Sequence, residues 1–177
     1  MPYYQTLVEW KTDSSFDPDV IEEHLARIDT KLGLSSGTYA RFTAWERKVY
    51  EEINNALRRR YSVPFAVIPP ATAPDITKVP YTVKSWSTAF LDELLLSARR
   101  DAGDADPADG DITARAERAR EAMTNAADPE RPAHPELPLR SDLPGSSGVE
   151  KGIHVDSFNT IYGWFDAQAG LRDSGGW

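Results

Sequence analysis

Five large apolar residues, Phe42, Trp45, Val49, Ile53 and Leu57, recur every three or four positions. At 3.6 residues per turn that spacing draws one continuous stripe along a helix, and a helix with such a stripe must be covered by other elements. The pattern predicts a long helix from about Tyr39 to Arg60, with Tyr39, Glu46 and Tyr50 beside the stripe. Arg58, Arg59 and Arg60 put cations at its C-terminal end, where they interact favourably with the helix dipole. Pro64 stops the helix from running on and biases Val63 toward extended backbone.

Most other prolines lie inside 64–74 or beyond residue 100, which leaves the first hundred residues able to form long helices. A first helix is signalled by Asp17 as cap, Pro18 at the first helical position and acidic Asp19, Glu22 and Glu23 in the early turns. Val20, Ile21, Leu25, Ile28 and Leu32 follow at helical spacing, and Gly33 is the expected stop. Residues 1–16 before it, with the aromatic and β-favouring run Tyr3 to Trp10, read as a short strand or an extended arm. After the long helix, Phe65 to Pro74 is an apolar, proline-rich loop in which Ala66-Val67-Ile68 could form a brief strand. A third long helix is expected from about Thr77 or Tyr81 to Arg100. Its apolar face (Val79, Val83, Trp86, Phe90 and Leu94, widened by Leu91, Leu95 and Ala98) is broad enough to be packed on two sides. A last helix, from about Ile112 to Ala126, is rich in Ala and Arg. It has good helix propensity but few large apolar residues, so it is expected to add little to the core. The fold class is therefore mainly α: a small helical bundle over 17–126.

Pro129, Pro132, Pro135, Pro138 and Pro144, then Gly145-Ser146-Ser147-Gly148, mark 127–148 as an extended linker. Beyond it, 149–177 carries Ile153, Val155, Phe158, Ile161, Tyr162, Trp164, Phe165, Leu171 and Trp177. Burying each large aromatic contributes about 1.5–3 kcal/mol, and Trp and Tyr are favoured interface anchors. Two readings follow: an arm that docks on a neighbouring subunit, or a tail that folds back on its own helices. Docking is preferred, because the linker can reach well beyond one small domain.

With 28 acidic against 20 basic residues, the net charge is −8. That disfavours a generic nucleic-acid-binding module. The chain has no cysteine, which removes disulfides, thiol nucleophiles and Cys-ligated zinc. No apolar run approaches the roughly 20 residues of a membrane span, and no signal peptide is visible, so a soluble protein made in a cytoplasm is expected. His24, His134 and His154 show no metal-ligand spacing, and HExxH, GxSxG, Walker and GxGxxG patterns are absent. The Asp-rich stretch 101–111 lacks the order of an EF-hand loop and reads as solvated. No catalytic residue, metal or cofactor is predicted. The arginine triplet is either a phosphate-contacting rim or a favourably charged helix end.

The stretch Ile53-Asn54-Asn55-Ala56-Leu57-Arg58-Arg59-Arg60-Tyr61-Ser62-Val63-Pro64-Phe65, then a proline-containing loop and Pro74-Asp75-Ile76 leading into a helix, resembles the head–tail connector (adaptor, or head-completion) proteins of tailed bacteriophages. Those proteins often carry a helix ending in a similar Ile-x-x-x-Leu-x-x-Arg-Tyr-x-x-Pro run. The resemblance covers about residues 17–100. It implies a small helical bundle assembling as a ring, twelvefold, beneath the portal protein in the virion neck, and offering the surface on which a tail, stopper or terminator component sits. Closed rings need head-to-tail contacts between copies. On this reading Tyr61, Pro64, Phe65, Ile153, Phe158, Tyr162, Trp164, Phe165 and Trp177 are interface residues. Arg58, Arg59 and Arg60 touch genomic DNA that otherwise slides past like-charged walls. The alternatives are another neck or tail-terminator protein, or, in a different class, a small acidic cytoplasmic binding protein.

Overall fold

The computed structural model describes residues 3–35, 37–65, 76–103 and 109–141. The chain divides into two units, Met1–Pro138 and Leu139–Trp177. All helices described here lie in the first: α1 (Leu7–Asp13), α2 (Pro18–Lys31), α3 (Ala40–Leu57), α4 (Tyr81–Asp101) and α5 (Asp109–Ala127), with one 3-10 turn at Ile76–Lys78. The architecture is the mainly helical bundle expected, with no strand among the described residues.

The N-terminal stretch is neither strand nor free arm. Thr6-Leu7-Val8-Glu9 is a capping box: the Thr6 hydroxyl accepts from Glu9 N–H at 3.2 Å, and Glu9 Oε2 accepts from Thr6 N–H at 2.8 Å. The helix so nucleated buries Trp10 completely, stacked on Phe42 (5.6 Å between ring centroids) and edge-on to Trp45 (6.5 Å). Ahead of it, Tyr4 and Gln5 are buried as well. The aromatic residues that suggested β structure are anchors of a short helix and its lead-in.

α2 starts as expected: Asp17 accepts from Asp19 N–H at 2.9 Å, with Pro18 in the first turn. It ends at Gly33, whose φ of +69° suits a residue without Cβ. Gly33 N–H bonds to Thr30 C=O (3.1 Å) and Leu34 N–H to Asp29 C=O (2.9 Å), the paired bonds of a Schellman motif. α3 has no cap of its own, because Tyr39 before it is left-handed at φ +49°. The fully buried Asp29 of α2 supplies one, accepting the N–H groups of Tyr39 (2.6 Å) and Ala40 (3.2 Å). The α2–α3 hairpin is thus closed by a carboxylate at its base.

α4 is the central helix. Residues Trp86 to Asp92 are all buried, so it is covered on every side over two turns. The two-sided packing read from its wide apolar face is what forms. Within it Asp92 is fully buried and accepts from three neighbours: Oδ1 from Trp10 Nε1 (2.8 Å) and Ser14 Oγ (2.6 Å), Oδ2 from Ser15 N–H (2.9 Å). Arg115 of α5 lies 3.6 Å from the same carboxylate. One anion therefore ties α1, the α1–α2 turn and α5 to α4. Gln5 repeats the link one turn earlier, donating to Thr88 Oγ1 at 2.9 Å.

α5 differs from expectation. It packs on α4 more extensively than any other helix pair does. Its buried face is Ile112, Ala116, Ala119, Met123 and Ala126. Alanine lets two backbones approach closely, so the small residues that suggested a marginal helix produce an intimate one. Arg120 adds charge to the seam, forked onto Glu93 (3.0 Å from NH1, with NH2 closer), 3.6 Å from Glu52 of α3 and over the Phe90 ring at 5.1 Å.

The proline-rich segment after α5 is also not a free linker over its first half. Leu137 is 4% exposed. The His134 ring lies edge-on to Trp86 at 6.3 Å. Glu136 Oε2 accepts from Thr82 N–H (3.1 Å) and Thr82 Oγ1 (2.6 Å), capping α4 from a distance where Pro80 offers no side-chain cap. Residues 128–138 are part of the bundle, and the boundary between the units falls at Pro138 rather than at 127.

Asp92→Ala leaves the buried Trp10 indole N–H without an acceptor and takes a partner from half-buried Ser14 and exposed Ser15. An unsatisfied buried group costs about 1–3 kcal/mol, so a loss in that range is expected in urea unfolding. A loss below about 1 kcal/mol would mean that water readily replaces this carboxylate.

Candidate functional site

Where α3 ends, the chain makes one more turn: Leu57 C=O accepts from Arg60 N–H (3.0 Å) and Tyr61 N–H (2.9 Å). This turn carries the Arg-Tyr pair of the sequence motif across to the end of α5. The last carbonyls of a helix lack intrahelical donors, and here they receive them from α3. Tyr61 Oη donates to Ala126 C=O (3.0 Å) and accepts from His134 N–H (2.9 Å). The Arg60 guanidinium donates to the carbonyls of Ala126 (3.0 Å), Asp128 and Arg131 (2.6 Å), and lies over the Tyr61 ring at 5.6 Å. A cation is also favourable at a helix C-terminus. Ser62 N–H completes the clamp on Pro138 C=O at 2.8 Å.

These contacts revise several sequence readings. Tyr61 and Phe65 are fully buried within their own chain and have no surface to give a neighbour. Phe65 lies against Tyr4, its N–H donating to Tyr4 Oη at 3.3 Å, with ring centroids 6.0 Å apart. Arg60 places its guanidinium donors on three carbonyls of its own chain. Arg58 and Arg59 are exposed, so the triplet divides into one structural and two surface arginines. Pro64 is half-buried, with a cis bond from Val63. Ile153, Phe158, Tyr162, Trp164, Phe165 and Trp177 lie outside the described residues, as does most of the loop after Phe65.

A second feature was not visible in the sequence. The C-terminal half of α2, the first turns of α3 and the last turn of α4 enclose an open groove of about 470 Å³. Arg27, Lys31 and Arg41 line it against the single carboxylate of Asp101, and Ile28 and Leu32 supply apolar floor and rim. Leu32 is 62% exposed, one of the few large apolar side chains left in water. In a chain of net charge −8 this is a local reversal of sign. Its lining comes from α2, α3 and α4 and the residues that end them, spread over 24 to 102, so no short sequence window contains it.

A third feature is Glu46, beside the stripe of α3 and buried together with its neighbours Tyr4 and Gln5. Its Oε1 accepts from Tyr4 N–H (2.7 Å) and Gln5 N–H (3.2 Å), and Oε2 has no hydrogen-bond partner. Burial pushes its pKa up from 4.5 to about 7, against the pull of those two N–H donors. Burial likewise raises the Tyr4 phenol. Among the described residues no group of three or more His, Cys, Asp or Glu is placed to hold a metal ion, and no helix is long and apolar enough to cross a membrane. Set against family models, curated proteins and solved structures, the chain matches none.

Two outcomes are expected from these sites. Tyr61→Phe removes one hydroxyl with two partners and should cost about 1–2 kcal/mol. Arg60→Ala should, in addition, speed amide exchange across 128–138 while leaving α2 unchanged. Equal exchange in the variant and the parent would contradict the clamp. For Glu46, the folded chain holds a proton between about pH 4.5 and 7 that the unfolded chain has already released. Stability should therefore fall as pH rises through that window, by roughly 3 kcal/mol. The lowered carboxyls act elsewhere. Burial opposes the ionised form of Glu9, but Lys84 and Thr6 outweigh it; Lys11 holds Glu22 down and Thr82 holds Glu136 down. Their contributions are present above the ordinary carboxylate pKa and fade only in more acid solution. Glu46→Gln should flatten the slope between pH 5 and 8 in urea titrations; an unchanged slope would assign it to other groups.

Proposed function

We propose that this chain is a structural virion protein, a head–tail connector that assembles as a ring beneath the portal protein and offers the surface to which the tail, or a stopper or terminator component, attaches. The observation that carries the reading is the end of α3. The run Ile53 to Pro64, on which the resemblance rests, is also the run that fastens the bundle, through Arg60 and Tyr61, to the end of α5. A motif kept for such a purpose would recur wherever this bundle is built, whatever its surface.

The rest of the reading is physical. A ring component needs a rigid body and a separate element that reaches the next copy. Met1–Pro138 supplies a compact body, and 149–177 supplies a segment rich in interface-type aromatics. The chain carries a net charge of −8, which suits a channel wall that genomic DNA passes without being gripped. The exposed Arg58 and Arg59 remain the candidates for touching phosphate. In the proposal the protein takes part in no chemical step and needs no cofactor.

The test is quantitative mass spectrometry of purified particles from the source culture. The expected result is this chain at a low copy number matching the portal. Its absence from particles would end the virion reading and leave a soluble helical binding protein.

A further inference from the structure

The groove between α2, α3 and α4 has a volume of about 470 Å³, and nothing in the clamp at the far end of α3 involves it. It combines two properties that are uncommon together on this acidic chain. Arg27, Lys31 and Arg41 outnumber Asp101, and Ile28 and Leu32 add apolar surface beside them. Arg27 is held near His24 (3.3 Å from NH2 to Nδ1), and Arg41 lies over the Trp45 ring at 5.8 Å, so neither cation is a loose surface side chain. An occupant that suits such a lining is a short segment with large apolar residues and net negative charge.

The chain's own sequence contains one. Residues 149–177 carry Glu150, Asp156, Asp166 and Asp173 against Lys151 and Arg172. Within the segment Phe158, Ile161, Tyr162 and Phe165 recur at intervals of three, one and three, a spacing that gathers apolar residues on one side of a helical turn. We infer that the cationic groove of one copy receives the acidic, aromatic segment 149–177 of a second copy. This deepens the ring-forming reading above and rests on it. A groove on one copy filled by the segment of the next is a head-to-tail contact, the type that closes rings, whereas a two-fold dimer would pair like with like. Opposite charges steer the encounter, and the buried aromatics supply most of the affinity.

The absence of cysteine makes the test clean. Two full-length variants of different tag size are mixed at high concentration and oxidised. One carries Ala44→Cys, an exposed small residue on the groove wall; the other carries Ser157→Cys, a polar position beside Phe158. Docking raises the local concentration of the two thiols, so the mixed disulfide should form roughly tenfold faster than with Val8→Cys in place of Ala44→Cys. Val8 is 73% exposed on α1 and does not line the groove. Adding Lys31→Glu and Arg41→Glu to the Ala44→Cys copy should return the rate to that of the Val8 control. Equal rates for Ala44 and Val8, or no mixed disulfide, would overturn the inference. So would a single chain carrying both Ala44→Cys and Ser157→Cys that closes on itself as a monomer in the same mixture, since the occupant would then be its own tail. The readout uses isolated protein. Particles lacking the chain would defeat the connector reading without touching this result, and a failed cross-link would defeat the groove assignment alone.

Discussion

A carboxylate with no access to water sits at the middle of α4, and its ionised form is tenable only if donors surround it. Asp92 finds them on one short stretch at the end of α1 and the turn after it, the indole of Trp10, the hydroxyl of Ser14 and the backbone of Ser15, with Arg115 of α5 alongside. The geometry of these donors is demanding. The indole N–H reaches Asp92 only if residues 7–13 are helical and lie across α4, and the Ser14–Ser15 donors are in place only if that helix stops at Asp13. The position of α1, the turn into α2 and the seat of α5 are therefore linked through one side chain. Apolar burial supplies most of the stabilisation of such a bundle, but it is indifferent to small slides and rotations. The Asp92 cluster is not.

The same device recurs in weaker form. Asp29 serves the start of α3, Glu46 the backbone at Tyr4 and Gln5, and Glu136 the start of α4. In each case the carboxylate comes from a different element than the N–H groups it satisfies. Local caps are missing at two of these places, since Tyr39 is left-handed and Pro80 has no side-chain acceptor. Helix ends that lack a cap in their own sequence become dependent on tertiary structure, which makes the helices form together. Part of the acidic excess of the chain is thus internal scaffolding rather than surface, and the exposed charge is more varied than the net value suggests, as the cationic groove shows.

What could be read in the sequence follows from the range of each interaction. Short-range signals were legible: the stripe of α3, the Asp17-Pro18 start and Gly33 stop of α2, and the doubly packed face of α4. Thr6-Leu7-Val8-Glu9 was equally legible as a capping box, but the aromatic run around it pointed toward a strand. The alanines of α5 were read by size, although their contribution is the close approach they permit. The proline spacing after α5 is that of an extended segment, and nothing local reveals that Tyr61, Arg60 and Thr82 bind it. Asp92 and the groove could not be found from a window of sequence, because their partners lie as much as 82 residues away. Of the residues expected to form interfaces, Tyr61 and Phe65 are fully buried within their own chain. Their chemistry is consumed inside the chain.

The distance from Trp10 to Asp92 has a meaning during synthesis. At about 5–20 residues per second, a ribosome takes roughly 4–16 seconds to add the 82 residues that separate the indole from its acceptor. For that interval Tyr4 and Trp10, both fully buried in the finished body, are apolar groups without a home on an emerging chain. The capping box at Thr6 is local and can hold the first helical turns meanwhile, but an isolated seven-residue helix is marginal in water. The helix that carries Trp10 is thus made well before the acceptor that secures it, and in that interval the chain presents a site that a chaperone, or another nascent copy, would recognise.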